Sequence, residues 1–555
     1  MAIAFADKIE MQHRLFSELS RMFGTEVPLY DKSLLVNAAC NRTVCDLLGR
    51  LFVGFAITDE QLEKTSGERH GAIRIGRPDE YRWIARFFAA FAMEPHAFYD
   101  MTSVGSKSQP IIATAFRSRA NPEHRVFTSL LQTNYFDQAT RERIETVLAG
   151  RQVFGDRAKQ LIELGERQGG LDWSDADALI REGVERIFKW TATARDHGLY
   201  KDLGAAGFKI AADIACFERH HLNHLTPNTF LIDLYTAAMK HCMGQLDDAT
   251  FRSRARTSLG RLAATADGHM MRLLFRHLAT EQIAAFRKGS VNVAEIDAMC
   301  DALADRLHRV DLRLTDLKHA GFKDTTEGPP QDTPVLLRQD SYKALTEAVR
   351  FSQPDGSTLD TTHTARFGEI EQRFYATTPK GRALYDKCLA EADAVRDRDP
   401  ELVNRDFAAY EAAYAAPFKQ FPKTVDELLA AGLIYGRYAP TAAGTAAKGS
   451  IATTDPLELV RSGYATVEGL RYEDFLPVSA AGIFASNLDQ YGTKATAAAK
   501  PVYTQAMLEE IMGFPIIDPD KAYAATEAKS LRETFEALGL TSRFASDAGG
   551  RLQTA

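Results

Sequence analysis

The sequence predicts an α+β protein, on three observations. Apolar residues recur at helical spacing over long stretches at both ends and in the middle of the chain. Short segments of strand or extended character, rich in glycine and turn residues, interrupt those stretches near residues 70, 224 and 370. At 555 residues and 45% hydrophobic, the chain can bury a large core and form two or more domains.

Taken in order, Met11, Leu15, Leu19 and Met22 predict a first helix, and Leu34, Leu35 and Val36 after Asp31 a second, reaching about Phe55. Gly67, Gly71 and Gly76 then oppose a helix, while Ala72 to Ile75 suit a short strand that sets His70, Ala72 and Arg74 on one face. Glu80 to Tyr99 reads as helix, with Trp83, Phe87, Phe88 and Phe91 as its core stripe. Another helix is expected from Ser174, with Asp177 as its capping-box partner and Leu179, Ile180, Val184, Ile187 and Phe188 as its apolar face.

His220, His221 and His224 form the densest histidine cluster. As a helix, the segment would put His220 and His224 on one face, as zinc proteases do. That motif needs a glutamate directly after its first histidine, and His221 stands there. Pro227 also disfavours helix at Thr226, so an extended segment with His220, Leu222 and His224 on one face is the better reading. From Ile232 to Leu317 the chain reads as a helical insertion, with Gly289 as a stop and His241, His269, His277 and His308 as isolated structural residues.

Strand-like sequence resumes at Pro334 to Arg338 and again at Arg366 to Arg373. In the second strand Phe367, Glu369, Glu371 and Arg373 share one face and Gly368 and Ile370 the other. Thr378-Pro379 caps a helix through Leu384 and Cys388, Ala439 to Pro456 reads as a mobile loop, and the chain beyond Lys529 as a helix with a loose tail. Between Tyr472 and Leu488, Pro477, Ser479 and Gly482 among small residues suggest backbone brought close to a ligand.

Net charge of −7 and the absence of a basic, aromatic-rich patch argue against a nucleic-acid surface. The N-terminus turns charged at Asp7, without a signal-peptide core, and no apolar run is long enough to span a membrane. The six cysteines are scattered, with no zinc-ligand pairs, which predicts a reduced, cytoplasmic protein. Two carboxylates on a strand face are ordinarily solvated. Combined with the histidines near 70 and 224, one of them would complete the two-imidazole, one-carboxylate set that suits non-heme Fe(II) and leaves coordination positions open.

Seven stretches, in order over most of the chain, carry a family resemblance. They are Glu68-Arg-His-Gly-Ala-Ile-Arg74, Asn223-His-Leu-Thr-Pro227, Glu327-Gly-Pro-Pro330, Leu336-Leu-Arg-Gln339, Arg366-Phe-Gly-Glu-Ile-Glu-Gln-Arg373, Thr378-Pro-Lys-Gly-Arg-Ala-Leu-Tyr-Asp386 and Asp474-Phe-Leu-Pro-Val-Ser-Ala-Ala-Gly-Ile-Phe484. The chain resembles the 2-oxoadipate dioxygenase/decarboxylases, also called D-2-hydroxyglutarate synthases. The resemblance implies a vicinal-oxygen-chelate-like central sheet or partial barrel, surrounded by many helices and extended here by the helical insertion. It implies Fe(II) held by His70, His224 and Glu369, with Glu369 preferred to Glu371 by analogy with the Glu-Val-Ile-Gln-Arg strand of hydroxyphenylpyruvate dioxygenase. It assigns Arg74, Val478 and Ser479 to the substrate.

The implied reaction consumes 2-oxoadipate and O2 and yields 2-hydroxyglutarate and CO2, a step of lysine catabolism. An oxygenase for another 2-oxo acid and a metal-binding protein without turnover are the competing readings. Asn228 stands where the family pattern leads one to expect arginine. The expected divisions are 1–228 for the N-terminal helices and first part of the metal core, 229–318 for the insertion, 319–490 for the remaining core and 491–555 for a C-terminal helical segment.

Overall fold

Asp7 starts the first helix, α1 (Lys8–Glu26), by accepting hydrogen bonds from the Ile9 and Glu10 amides. Its buried stripe contains the predicted Met11, Leu15, Leu19 and Met22. Pro28, whose missing N–H costs nothing in a first turn, opens α2 (Pro28–Leu51). This computed structural model describes residues 4–103, 108–120, 124–476 and 501–540, with the backbone of 544–546 and 552–554.

The expected short strand is β1 (Glu68–Ile75). The helix predicted from Glu80 to Tyr99 is corrected: α3 (Pro78–Ala90) stops early and β2 (Met93–Asp100) follows. The reversal falls at Ala92, whose φ is 54°, and Pro95 could not sit inside a continuing helix. Two strands follow that the sequence reading passed over, β3 (Ile111–Ser118) and β4 (Arg125–Leu131). β4 is buried throughout and β3 at all but Arg117, so neither displays the in–out alternation that marks a half-exposed strand.

A later helix, α4 (Trp173–Glu182), is capped by Asp172, which accepts from the Asp175 amide, two residues before the expected Ser174–Asp177 capping pair. Next come α5 (Lys209–Cys216) and the extended segment predicted at the histidine cluster, β5 (His224–Pro227). The five strands form one sheet in the order β2-β3-β4-β1-β5, with only the β4–β1 pair parallel. Their register sets His70 opposite Arg125 and Ala72 opposite both Phe127 and His224. One face of the sheet thus collects polar and charged side chains. The other packs on α3, where the buried Tyr81 hydroxyl donates to the Thr128 carbonyl at 2.8 Å.

The central helical segment contains α6 (Ile232–Cys242), α7 (Asp248–Thr265) and α8 (Val293–Leu307). Their buried residues, such as Leu234, Leu259 and Leu303, belong to the same apolar cluster as those of α1 and α2. Beyond them, β6 (Leu337–Ser341) pairs antiparallel with the acidic strand β7 (Glu369–Arg373). β7 in turn runs alongside β5: the Phe367 amide donates to the Asn223 carbonyl at 3.1 Å and the Thr229 amide to the Glu371 carbonyl at 3.0 Å. The central sheet is thereby continued by β7 and β6 and stays open.

A second apolar core, built mainly from residues 335 to 476, packs around α9 (Pro379–Arg398), which Thr378 caps as predicted. The loop expected from Ala439 to Pro456 is corrected in part. Thr441 caps a short helix, Ala442–Ala446, and Ile451 is buried with Leu538 of the last long helix, α10 (Pro519–Leu538). Among the described residues, no helix is long and apolar enough to cross a membrane.

Candidate metal and substrate site

The polar face of the sheet owes its geometry to two glycines. At Gly71 of β1 a Cβ would lie 2.9 Å from Leu225 Cδ2 and 3.2 Å from the His224 carbonyl oxygen, so glycine lets β1 and β5 lie close. At Gly368 a Cβ would run into the ring of Tyr342, which fixes the approach of the chain into β7. His70 and His224 then stand with ring centroids 5.4 Å apart, edge to face. Phe475 packs edge-on against His70 at 4.7 Å, and Phe367 stacks on His224 at 4.8 Å.

Glu369 completes the group from β7. Its Oε2 lies 3.4 Å from His70 Nε2 and 3.1 Å from His224 Nε2, and the Thr226 hydroxyl donates to it at 3.4 Å. One ligand atom from each of the three side chains falls within 4.8 Å of the other two, and all three residues are buried. Glu369 Oε1 and both ring nitrogens of His224 have no hydrogen-bond partner among the described residues. Burial, then the neighbouring His70 and Arg74, hold the His224 pKa well below its ordinary value, so the ring is neutral and offers a lone pair. An unmatched carboxylate oxygen beside the neutral His224 ring, sealed from water, is poorly satisfied by itself and well matched to a cation. This buried cluster can hold a metal ion.

Glu371, two residues on, has a different setting. Arg125 contacts it closely, Arg373 Nη2 donates to it at 2.9 Å, and His70 Nδ1 stands 3.2 Å from its Oε2. Burial would raise its pKa, but Arg373 and Arg125 outweigh that and hold the carboxylate well below the usual range. Arg125 also reaches Glu473 at 3.1 Å, and Arg373 is held by the carbonyls of Tyr472 and Asp474. Glu371 is thus fully engaged and lies on the far side of the His70 ring from Glu369, placed to orient that ring.

Arg74 shares the His70 side of β1, as predicted, and its Nη1 donates to Asp213 Oδ2 on α5 at 2.6 Å. The other Asp213 oxygen lies 3.3 Å from both His221 Nε2 and His363 Nε2, and His363 Nδ1 is 2.9 Å from the Tyr200 hydroxyl. His220, the third member of the histidine cluster, points elsewhere, 3.2 Å from Glu80, which Arg151 grips at 2.6 Å. Val478 and Ser479 lie outside the described residues. Sequence reasoning missed Arg125, Glu473, Asp213 and His363. The first sits on a strand that was not recognised, and the others are single polar residues whose burial only the tertiary structure reveals.

A family model described as 2-oxoadipate dioxygenase/decarboxylase matches residues 15–266 and 277–487. The chain belongs to this family. Most of the central helical segment falls within the match, which breaks only between residues 266 and 277. The 2-oxoadipate dioxygenase/decarboxylase of Pseudomonas putida is 33% identical over 97% of this chain and 99% of its own. That of Escherichia coli is 31% identical over 94% of this chain and 97% of its own. The crystal structure of the P. putida hydroxyglutarate synthase in complex with 2-oxoadipate superposes with a TM-score of 0.67 at 31% identity, covering 97% of this chain and 99% of that one. This family member therefore shares its fold with a solved relative over nearly its whole length.

Proposed function

We propose that this protein is a non-heme Fe(II)-dependent 2-oxoadipate dioxygenase/decarboxylase, with His70, His224 and Glu369 as the metal ligands. The observation that carries the reading is the convergence of these three buried side chains, with Glu369 Oε1 and both His224 nitrogens making no hydrogen bond among the described residues. The names of the full-length relatives support the substrate. The overall change is 2-oxoadipate plus O2 to 2-hydroxyglutarate plus CO2. Bound Fe(II) would supply the electrons that activate O2 and the open positions that grip a 2-oxo acid.

The remaining work falls to the chain. Arg74 offers a planar guanidinium to the distal carboxylate of the substrate, a fork geometry that favours a dicarboxylic over a neutral oxo acid. Asp213 holds that guanidinium ready, and the substrate carboxylate competes for its remaining N–H groups. Glu371 Oε2, 3.2 Å from His70 Nδ1, biases the orientation of that ring. Phe367 and Phe475 cover the imidazoles and keep bulk water from the reacting centre.

The test is an anaerobic, Fe(II)-loaded sample given 2-oxoadipate and then O2, with CO2 and 2-hydroxyglutarate measured. One of each per O2 consumed is the expected outcome. No O2 uptake with 2-oxoadipate while another 2-oxo acid turns over would overturn the substrate, and zinc retained in place of iron with no turnover would overturn the chemistry.

A further inference from the structure

A second group of two imidazoles and one carboxylate stands apart from the sheet, in the central helical segment. His241 lies in the last turn of α6, Asp248 in the first turn of α7, and His308 directly after α8. His308 Nε2 is 3.1 Å and His241 Nε2 3.9 Å from the same oxygen, Asp248 Oδ1, and one ligand atom from each residue falls within 4.8 Å of the others. In a tetrahedral zinc site with bonds of about 2.0–2.1 Å, neighbouring ligand atoms lie about 3.3 Å apart. The two separations to Asp248 Oδ1, 3.1 and 3.9 Å, lie on either side of that spacing, and the two imidazoles need a small adjustment at most, their ligand atoms being within 4.8 Å.

The surroundings of each ligand prepare it. His241 Nδ1 is 3.2 Å from the Leu246 carbonyl, which can only accept, so Nδ1 is the donor there and Nε2 is the nitrogen turned toward Asp248. The same ring stacks on Phe251 at 4.8 Å, which fixes its plane. Asp247 caps α7 by accepting from the Thr250 amide and hydroxyl, so Asp248 is not needed for that task. Arg252 takes Asp248 Oδ2 at 2.7 Å and also contacts Asp301, leaving Oδ1 to the imidazoles. Two helix C-terminal ends, with their partial negative charge, meet at the group.

We propose that His241, Asp248 and His308 form a second divalent-cation site, for a borderline transition metal of the Zn2+ type, which ties the ends of α6 and α8 to the start of α7. Water would fill the remaining position, because His308 and Asp248 are 58% and 47% exposed. The site is independent of the iron reading: it uses none of the same residues and lies on other elements.

The experiment is equilibrium dialysis of the chelator-stripped full chain against Zn2+, with bound metal counted for wild type, His308→Ala, Asp248→Asn and His70→Ala. The buried cluster of two imidazoles and a carboxylate is expected to take Zn2+ too, so wild type should hold two equivalents and each variant one. His308 is exposed, so its alanine variant keeps the fold, which far-ultraviolet dichroism checks. A double variant, His70→Ala with His308→Ala, should hold none. Wild-type stoichiometry in both His308→Ala and Asp248→Asn would overturn the proposal. A His70→Ala protein that holds no zinc would overturn it as well.

Discussion

Substituting the two carboxylates of β7 separately should have opposite consequences, because one is paired with arginines and the other, among the described residues, meets only imidazoles and a hydroxyl. Glu371 is buried against Arg125 and Arg373, both essentially inaccessible. Breaking a buried ion pair by removing one partner typically costs about 3–5 kcal/mol. Here Glu473 still meets Arg125, and two backbone carbonyls still meet Arg373, so Glu371→Gln should fall near the lower end, ~3 kcal/mol. It also loosens His70, and loss of such an orienting partner weakens a metal site by about 10–100-fold. Among the described residues Glu369 has no guanidinium partner and leaves Oε1 unmatched. Glu369→Gln should therefore leave the metal-free protein as stable as wild type, or more so, while abolishing metal binding. The assay is denaturant unfolding of the stripped proteins beside iron content after anaerobic loading and dialysis. Equal destabilisation by the two substitutions, or metal retained by Glu369→Gln and lost by Glu371→Gln, would refute the assignment.

Four further outcomes are expected. Arg74→Ala should raise KM for 2-oxoadipate by roughly 30-fold or more, since truncating one side of a hydrogen-bonded charge pair costs at least ~2 kcal/mol, while iron content is unchanged; steady-state kinetics with metal analysis reads both. Gly368→Ala should push β7 off Tyr342 and lower metal occupancy, visible as substoichiometric iron in a protein that still folds. Burial raises the Asp340 pKa to about 6 from an ordinary value of 3.8, so the folded state favours its protonated form. Its stabilising contribution is complete below about pH 4 and is lost as pH rises to about 6, by the linkage of proton binding to folding. Unfolding free energies of wild type minus Asp340→Asn should therefore fall over that interval; a difference that is flat or rises with pH would refute it. Finally, all six cysteines are buried, and burial pushes the Cys45 and Cys242 thiols up to about 12 and Cys300 to about 11. A thiol reagent at neutral pH should label none in the native protein and six after denaturation.

How much of this was legible in the sequence depended on whether the signal was local. Capping residues such as Thr378 and the stripe of α1 are local, and they placed their helices correctly. β3 and β4 are nearly or wholly buried and carry no alternation, so the centre of the sheet, with Arg125 on it, went unread. The run of aromatics from Phe87 to Phe91 carried the helical pattern past its true end, because Phe91 is buried in the same core after the helix has stopped.

The site itself was legible as residue types but not as a pairing. Spacing put Glu369 and Glu371 on one face of a strand and could not separate them, since side-chain alternation is blind to what lies opposite. The separation comes from β4, which brings a guanidinium to Glu371 and none to Glu369. The same cross-strand register that sets His70 beside Arg125 thus gives β7 one charge-compensated carboxylate and one uncompensated carboxylate, and only the second has reason to bind a cation.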